Sequence, residues 1–521
     1  MSMTDAIVIG SGTNGLTAAA YLARAGMKVV VLEKRKSVGG LASTEEFAPG
    51  FRASIGPDNC GLLLPQVVSD LELDRHGLEL FPLDPVVFTP SREGDGLLLH
   101  RDMAKTVEEI RKISARDAEA YPRFKALVEK ISEFLRPLFS KPAPSATIET
   151  GTDILELLRL GWGFRQLGAR SMHELLRILP MSLEDFLDEW FEHPLVKAAI
   201  GAGTLESVCL GSKSSGTSAL FLYHNLSPRK LARGGAGGVS QALARSVESR
   251  GGSIQLGARV SQILVEDGAA AGVALENGDS LRAPVVLSAL APRSTFFELG
   301  RPADLAPSFV SEIDKIRYRG VTAKLNLALS ELPDFRSRPA KGAAPHHRAL
   351  IQIGESLKEY EQAYDAAKYG KLSERPLLTV VIPSLIDPGL APEGKHVVSV
   401  TAQFAPYRLR DGSWTEAKET FSTAILDRLA EYAPNVKAAV LHRRLWTPPD
   451  YERELGLPEG NWHQGEMALD QLLFMRPVPG WSRHETPIRG LYLAGAATHP
   501  GGGITGACGS NAAQRVLKDR A

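Results

Sequence analysis

Ala6 to Gly15 reads AIVIGSGTNG, and a second apolar run, Val29 to Leu32, ends at Glu33. Ile7, Val8 and Ile9 suit a strand buried on both faces. Gly10, Gly12 and Gly15, with Ser11, Thr13 and Asn14 between them, let the chain turn sharply and come close to a diphosphate. Leu16 to Ala25 reads as a helix whose first turn offers free amides and the positive end of its dipole to phosphate. Gly26 ends that helix before a second strand at Lys28 to Leu32. Glu33, followed by Lys34, falls where a carboxylate accepts both hydroxyls of a ribose. A glycine-rich turn alone is weak evidence. Here strand, glycines, helix, second strand and terminal acid agree, and together they predict a dinucleotide-binding unit.

Composition narrows the class. At 521 residues the chain exceeds one compact core and should divide into about two or three domains. Lys plus Arg and Asp plus Glu number 60 each, a formal charge of zero, which argues against nucleic acid as a partner. An apolar fraction of 44% with 23% charged residues is that of a folded chain. Cys60, Cys209 and Cys508 form no CxxC pair and read as small buried residues, and no residue pattern suggests a metal. Only Met1 to Asp5 precede the first strand, and no apolar run approaches the roughly 18–20 residues of a bilayer span. The expected location is the cytoplasm.

Further along, Gly39 and Gly40, followed by Leu41 and Ala42, fit either close backbone approach to a cofactor or a plain turn. Val107 to Phe139 and Ile154 to Ala199 carry apolar residues at three- and four-residue spacing and predict an inserted helical layer. Arg233 to Gly238, RGGAGG, leads into a helix at Val239 to Arg250. Ser253 to Glu266 and Ala271 to Arg282 alternate as strands, the latter interrupted by the hairpin signal Asn277-Gly278. Val285 to Ala289 predicts another apolar strand, and in Val321 to Leu329 every second residue is apolar, predicting a sheet with one buried face. Leu377 to Ile382 and His396 to Phe404 supply further strands, and Trp414 to Tyr432 a helix. The end of the chain, GLYLAGAATHPGGGITGACGSNAA from Gly490 to Ala513, reads as a strand, a glycine-rich loop and the start of a helix.

These segments resemble a known group. The terminal stretches GSGTNGLTAAAYLARAGMKVVVLEKRKSVGG and GLYLAGAATHPGGGITG are similar to those of the phytoene desaturase type of FAD-dependent oxidoreductase. The middle stretches Met172 to Ile200, RGGAGGVSQAL and Ala468 to Gly480 resemble the branch named for pyridine nucleotide-disulfide oxidoreductase domain-containing protein 2. The resemblance implies an α/β fold: a Rossmann-like FAD-binding domain from residues 1–105, 226–295 and 455–521. Into it an α+β substrate domain of mixed sheet and helical layer, residues 106–225 and 296–454, would be inserted. It implies FAD, with Val260 at the adenine, the turn at Ala289 near the diphosphate, and amides near Thr505 and Gly506 facing the flavin ring. Gly495 is followed by Ala496 where many flavoproteins carry Gly-Asp, so the ribityl contact stays unassigned. No second GxGxxG and no redox cysteine pair are present, so a disulfide reductase finds little support.

A flavin desaturase passes a hydride to N5 and a proton to a base or solvent. The candidates for that chemistry are His499 in the THPGGG loop, Gln464 and Glu466 in NWHQGEM, and Asp58 in GPDNC. Bracing the loop is the stronger alternative for His499, and Gln464 stands where related sequences tend to carry histidine. Glu466 and Asp58 fit solvated or hydrogen-bonded acids equally well, while His463 and Arg476 have only their neighbourhood to recommend them. The expected partners are an apolar, isoprenoid-like substrate and an electron acceptor, oxygen or a quinone. Ile154 to Leu167, leucine-rich with Trp162 and Phe164, reads first as a core-facing helix or tunnel lining because its polar face lacks lysines. Peripheral contact with a bilayer is the alternative. A flavin amine oxidase, a redox-neutral FAD isomerase and a prenyl- or lipid-binding escort protein share the scaffold; the first expects an aromatic cage, and aromatics are 7% here. The intact glycines and Glu33 argue against the escort protein.

Overall fold

The computed structural model describes residues 4–144 and 151–520. A parallel sheet of five strands, in the order Leu491–Leu493, Val285–Ser288, Ala6–Ile9, Val29–Glu33 and Ser253–Leu256, brings three separated stretches of chain together. Ala6–Ile9 lies at its centre, paired in register with Val29–Leu32 on one side and Val285–Ser288 on the other. Successive side chains of a strand point to opposite faces. Ala6 and Val8 therefore pack on the helices Thr13–Arg24, Ala236–Ser249 and Ala507–Arg520. Ile7 and Ile9 face the antiparallel strands Val260–Glu266, Ala269–Leu275 and Ser280–Arg282. The Asn277-Gly278 turn joins the last two of these, with Gly278 at φ +92°.

A second sheet has seven strands, in the order Val440–Trp446, Thr322–Leu329, His396–Gln403, Leu377–Val381, Leu350–Ile353, Val87–Thr89 and Leu97–Leu99. Val87–Thr89 runs parallel to Leu350–Ile353 and the other pairs are antiparallel. The hairpin Val87–Thr89/Leu97–Leu99, expected with the nucleotide-binding stretches, thus belongs to this second sheet. Helix Trp414–Ala430 covers one face through Phe421, Ile425 and Leu429. A helical layer that includes Met103–Arg111, Ala115–Leu138, Leu183–Asp188 and Thr217–His224 closes over a cluster of Phe124, Phe186, Phe191 and Phe221. The ring centroids of Phe124 lie 5.0 to 6.0 Å from the other three.

Two further expectations change. All eight residues of Thr322–Leu329 are buried, whereas the alternation predicts one buried face. The polar positions meet protein rather than water: Lys324 Nζ binds Asp58 and the Gly56 carbonyl, Asn326 Nδ2 donates to the Ser54 carbonyl at 3.1 Å, and Thr322 Oγ1 contacts Ser207 Oγ at 2.9 Å. Alternation reports polarity, and here the polar face is satisfied by the neighbouring half of the molecule. The helix Gly151–Gln166 turns Leu155, Leu158 and Trp162 outward, 54, 63 and 65% exposed, so these residues are not core-facing. Among the described residues no helix is long and apolar enough to cross a membrane.

The first and last helices touch backbone to backbone. A Cβ added at Gly509 would lie 2.0 Å from the Asn14 carbonyl. Gly509→Ala should therefore destabilise the fold by about 1–3 kcal/mol, as overpacking does. Denaturant unfolding checks this, and an unchanged midpoint would mean that the helices separate freely.

Candidate active site

A cavity of about 440 Å³ begins at the glycine turn after the central strand and follows the seam between the two halves of the molecule. Gly10, Gly12, Thr13, Asn14 and Gly15 form its floor, with Gly39, Gly40, Leu41 and Ala42 alongside. Gly10 stands at φ +95°, and a Cβ on Gly15 would come 2.1 Å from the Gly10 carbonyl, so the turn requires glycine at both positions. Glu33 and Lys34 line one end, with Val260 and Arg259. The Ser11 amide and hydroxyl both donate to Glu33 Oε2, at 2.9 and 2.7 Å, and the Arg35 amide donates to Oε1 at 2.9 Å. Ser11 itself lies behind the carboxylate, outside the wall, and orients it toward the cavity. Burial pulls the Lys34 ammonium below its ordinary pKa.

Ala289 and Leu290 carry the wall onward to a second end made by Gln464, Ala496, Gly503 and Ile504. Gln464 bridges the two strand ends: its Nε2 donates to the Ala289 carbonyl at 3.0 Å and its Oε1 accepts from the Ala497 amide at 3.3 Å. Gly495 sits behind this bridge, where a Cβ would fall 2.3 Å from Gln464 Oε1. The Thr505 amide, expected to face the ligand, donates to the Gly503 carbonyl at 3.0 Å, and Gly506 turns at φ +69° toward Thr17 and Val67. Thr505 and Gly506 are therefore behind the wall that Gly503 and Ile504 form.

The remaining candidates separate by their partners. His499 is fully buried, its Nε2 lies 2.7 Å from the Leu138 carbonyl, and its ring stacks on Phe139. It joins the loop to the helical layer, as Tyr223 does through its hydroxyl to the Gly502 carbonyl at 2.7 Å. Desolvation holds the His499 imidazole down to about 4, neutral at pH 7. Glu466 is held between Arg317 and Arg319, and Asp58 is bound by Lys324 and by Ser399 Oγ at 3.0 Å. Neither carboxylate reaches the cavity wall.

Among the groups that sequence reasoning passed over, Glu206, His224 and Trp462 reach it. Burial pushes the Glu206 carboxyl up, aided by Asp58 and opposed by Lys324 and Arg229. Burial also brings His224 down to about 3 and His463 down to about 4. Glu206 lies in a loop between helices and carries no motif or periodic signal, so only the fold shows that it lines the cavity. His463 packs so closely on the glycine loop that a Cβ at Gly502 would come 1.8 Å from its Nδ1.

The cavity suits a dinucleotide that spans both ends. Asn14 and His463 line it, and Asn14 Oδ1 is buried with no hydrogen-bond partner among the described residues. The buried neutral histidines also fix a pH dependence. The unfolded chain protonates each near its ordinary 6.5, while the folded chain resists down to about 4, so stability rises with pH across that window. Acidification from pH 7 to 5 should cost on the order of 1–2 kcal/mol for His499. His499→Gln should flatten the melting temperature against pH, and an unchanged slope would show that this ring titrates alike in both states.

Similarity to known proteins places these features in a family. The family model for flavin containing amine oxidoreductase matches residues 15–517. Pyridine nucleotide-disulfide oxidoreductase domain-containing protein 2 of Rattus norvegicus is 38% identical, over 99% of this chain and 93% of its own length. A limonene dehydrogenase component of Castellaniella defragrans is 29% identical, over 99 and 94%. The neurosporene-forming phytoene desaturase of Cereibacter sphaeroides is 25% identical, over 97 and 92%. With glycine turn, acid-ended second strand and family match in agreement, the chain belongs to the flavin containing amine oxidoreductases and is an oxidoreductase with FAD as its cofactor.

Proposed function

We propose that the protein is a dehydrogenase or desaturase that oxidises a C–C bond of an apolar, isoprenoid-like substrate. The observation that carries this reading is the make-up of the cavity end at Ala496. Leu62, Ile504 and Trp462 give it an apolar wall, and Glu206 supplies a half-buried carboxyl. FAD supplies the hydride acceptor when bound, with its adenosine at Glu33 and its ring toward Ala496. The residues of this chain then hold the substrate against that end, exclude water and take up a proton at the Glu206 carboxylate. Burial raises the basicity of that carboxylate, the direction that favours a general base. An aromatic cage for an amine would need paired rings, and among the described lining residues Trp462 stands without a Phe, Tyr or second Trp. The names of two relatives, for dehydrogenation of limonene and desaturation of phytoene, support the same substrate class.

The same reading assigns the cofactor to residues 1–105, 226–295 and 455–521, apart from the hairpin Val87–Thr89/Leu97–Leu99 that joins the second sheet, and the substrate to 106–225 and 296–454, in the cytoplasm. Anaerobic mixing with a panel of terpenoids and polyenes should bleach the flavin absorbance. Glu206→Gln should slow that bleaching by about 100-fold or more at unchanged FAD content. Silence across the panel, with bleaching by amines, would favour the amine oxidase reading. Readmission of oxygen or addition of a quinone then identifies the electron acceptor.

The outward Leu155, Leu158 and Trp162 share their helix with exposed Arg159 and Arg165, the pattern of a helix that rests on an anionic lipid surface. An apolar substrate would be drawn from there. The protein should co-float with vesicles containing phosphatidylglycerol, and Leu158→Glu with Trp162→Glu should abolish this. Failure of the unaltered protein to co-float removes the membrane from the proposal.

A further inference from the structure

We propose that Arg476 is a positioning residue whose buried charge raises the reduction potential of the flavin. The guanidinium is 2% exposed, and every acceptor it holds is a backbone carbonyl. Nε and Nη2 donate to Ala496 at 3.0 and 2.7 Å, Nη2 also to His463 at 2.6 Å and Gly465 at 3.3 Å, and Nη1 to Glu466 at 2.9 Å and Gln471 at 3.1 Å. A fork of this kind clamps the loop after the last strand to the NWHQGEM segment, which a neutral amide could also do in part. The charge is what sets this group apart.

A buried cation is ordinarily paired with a carboxylate. Here the acids nearby in sequence are engaged elsewhere: Asp470 by Arg317, Glu466 by Arg317 and Arg319, and Glu485 by Arg515. The other ionisable groups that face the guanidinium, Tyr223, Tyr318 and Cys508, are all pushed by burial further above neutrality. They carry no countercharge at pH 7. His463 and His499, which also feel the guanidinium, are held neutral. The positive charge thus stands uncompensated one residue contact behind the wall, because Ala496 and His463 both line the cavity. Reduction by a hydride leaves the ring one unit more negative, and a fixed positive charge in a water-poor setting favours that state without reorganising.

The inference rests on the reading that the ring lies at the Ala496 end. The test is the midpoint potential of the FAD-loaded protein, measured by equilibration with reference dyes, for Arg476→Met, Arg476→Lys and Arg259→Met. Arg259 lines the opposite end of the cavity. Arg476→Met should shift the oxidised-to-reduced equilibrium at least tenfold toward oxidised flavin, about 30 mV for a two-electron couple. Arg476→Lys, which keeps the charge and loses the fork, should stay within threefold of the unaltered protein, and Arg259→Met should not move it. Equal shifts in Arg476→Met and Arg476→Lys, or no shift in either, would reduce Arg476 to a structural clamp and overturn the proposal. A shift in Arg259→Met without one in Arg476→Met would show the ring at the other end and overturn it through that reading. Should Arg476→Met fail to hold FAD, Arg476→Gln keeps part of the fork without the charge; it should lower the potential by a similar factor, and an unchanged value overturns the proposal.

Discussion

The register of one short strand governs this molecule. Ala6–Ile9 is paired on both edges, with Val29–Leu32 from its own neighbourhood and with Val285–Ser288 from the middle of the chain. Both of its faces are buried, so a slip by one residue would exchange the helix-facing Ala6 and Val8 with Ile7 and Ile9. Because the sheet is parallel and recruits strands from distant sequence, the glycine turn that follows Ile9 is held at the meeting point of three stretches of chain. The cavity begins there.

The two ends of the cavity are built differently. At the Glu33 end, one strand-helix-strand segment does the work: Ser11, 22 residues before the carboxylate, and Arg35, two after it, orient it through three hydrogen bonds. The Ala496 end draws mostly on more distant sequence. Gln464 joins Ala289 to Ala497, His499 reaches Leu138, Tyr223 reaches Gly502, and Arg476 gathers carbonyls from two segments. Such an assembly is satisfied only when complete, since each buried group removed leaves another unpaired. Rigid placement of the loop follows from this mutual dependence, and placement is what a reaction at a flavin needs from its protein.

The seam between the two sheets shows the same logic. Lys324, Asn326 and Thr322 occupy alternate positions of a strand and would suit a solvated face. They are instead matched to Asp58, Gly56, Ser54 and Ser207 across the seam, and Ser207 continues into the cavity wall. A buried ion pair such as Lys324 with Asp58 is costly to desolvate and adds little net stability, but it is costly to break as well. It fixes how the halves dock.

By itself the sequence determined the nucleotide-binding unit, the parallel sheet and the inserted helical layer, because these rest on glycine geometry, on turn residues and on hydrophobic periods that act over a few residues. Glu33, the glycines of the first turn and the hairpin at Asn277-Gly278 were legible for that reason. The Ala496 end was not. Neither the clamp by Arg476 nor the arrival of Glu206 leaves a period or a spacing in the chain, and the candidates His499, Glu466 and Asp58 turn out to be bound by partners far away in sequence. Tertiary structure alone decided which polar side chains face the cavity, because burial and pairing, which set charge and basicity, exist only once distant segments have met.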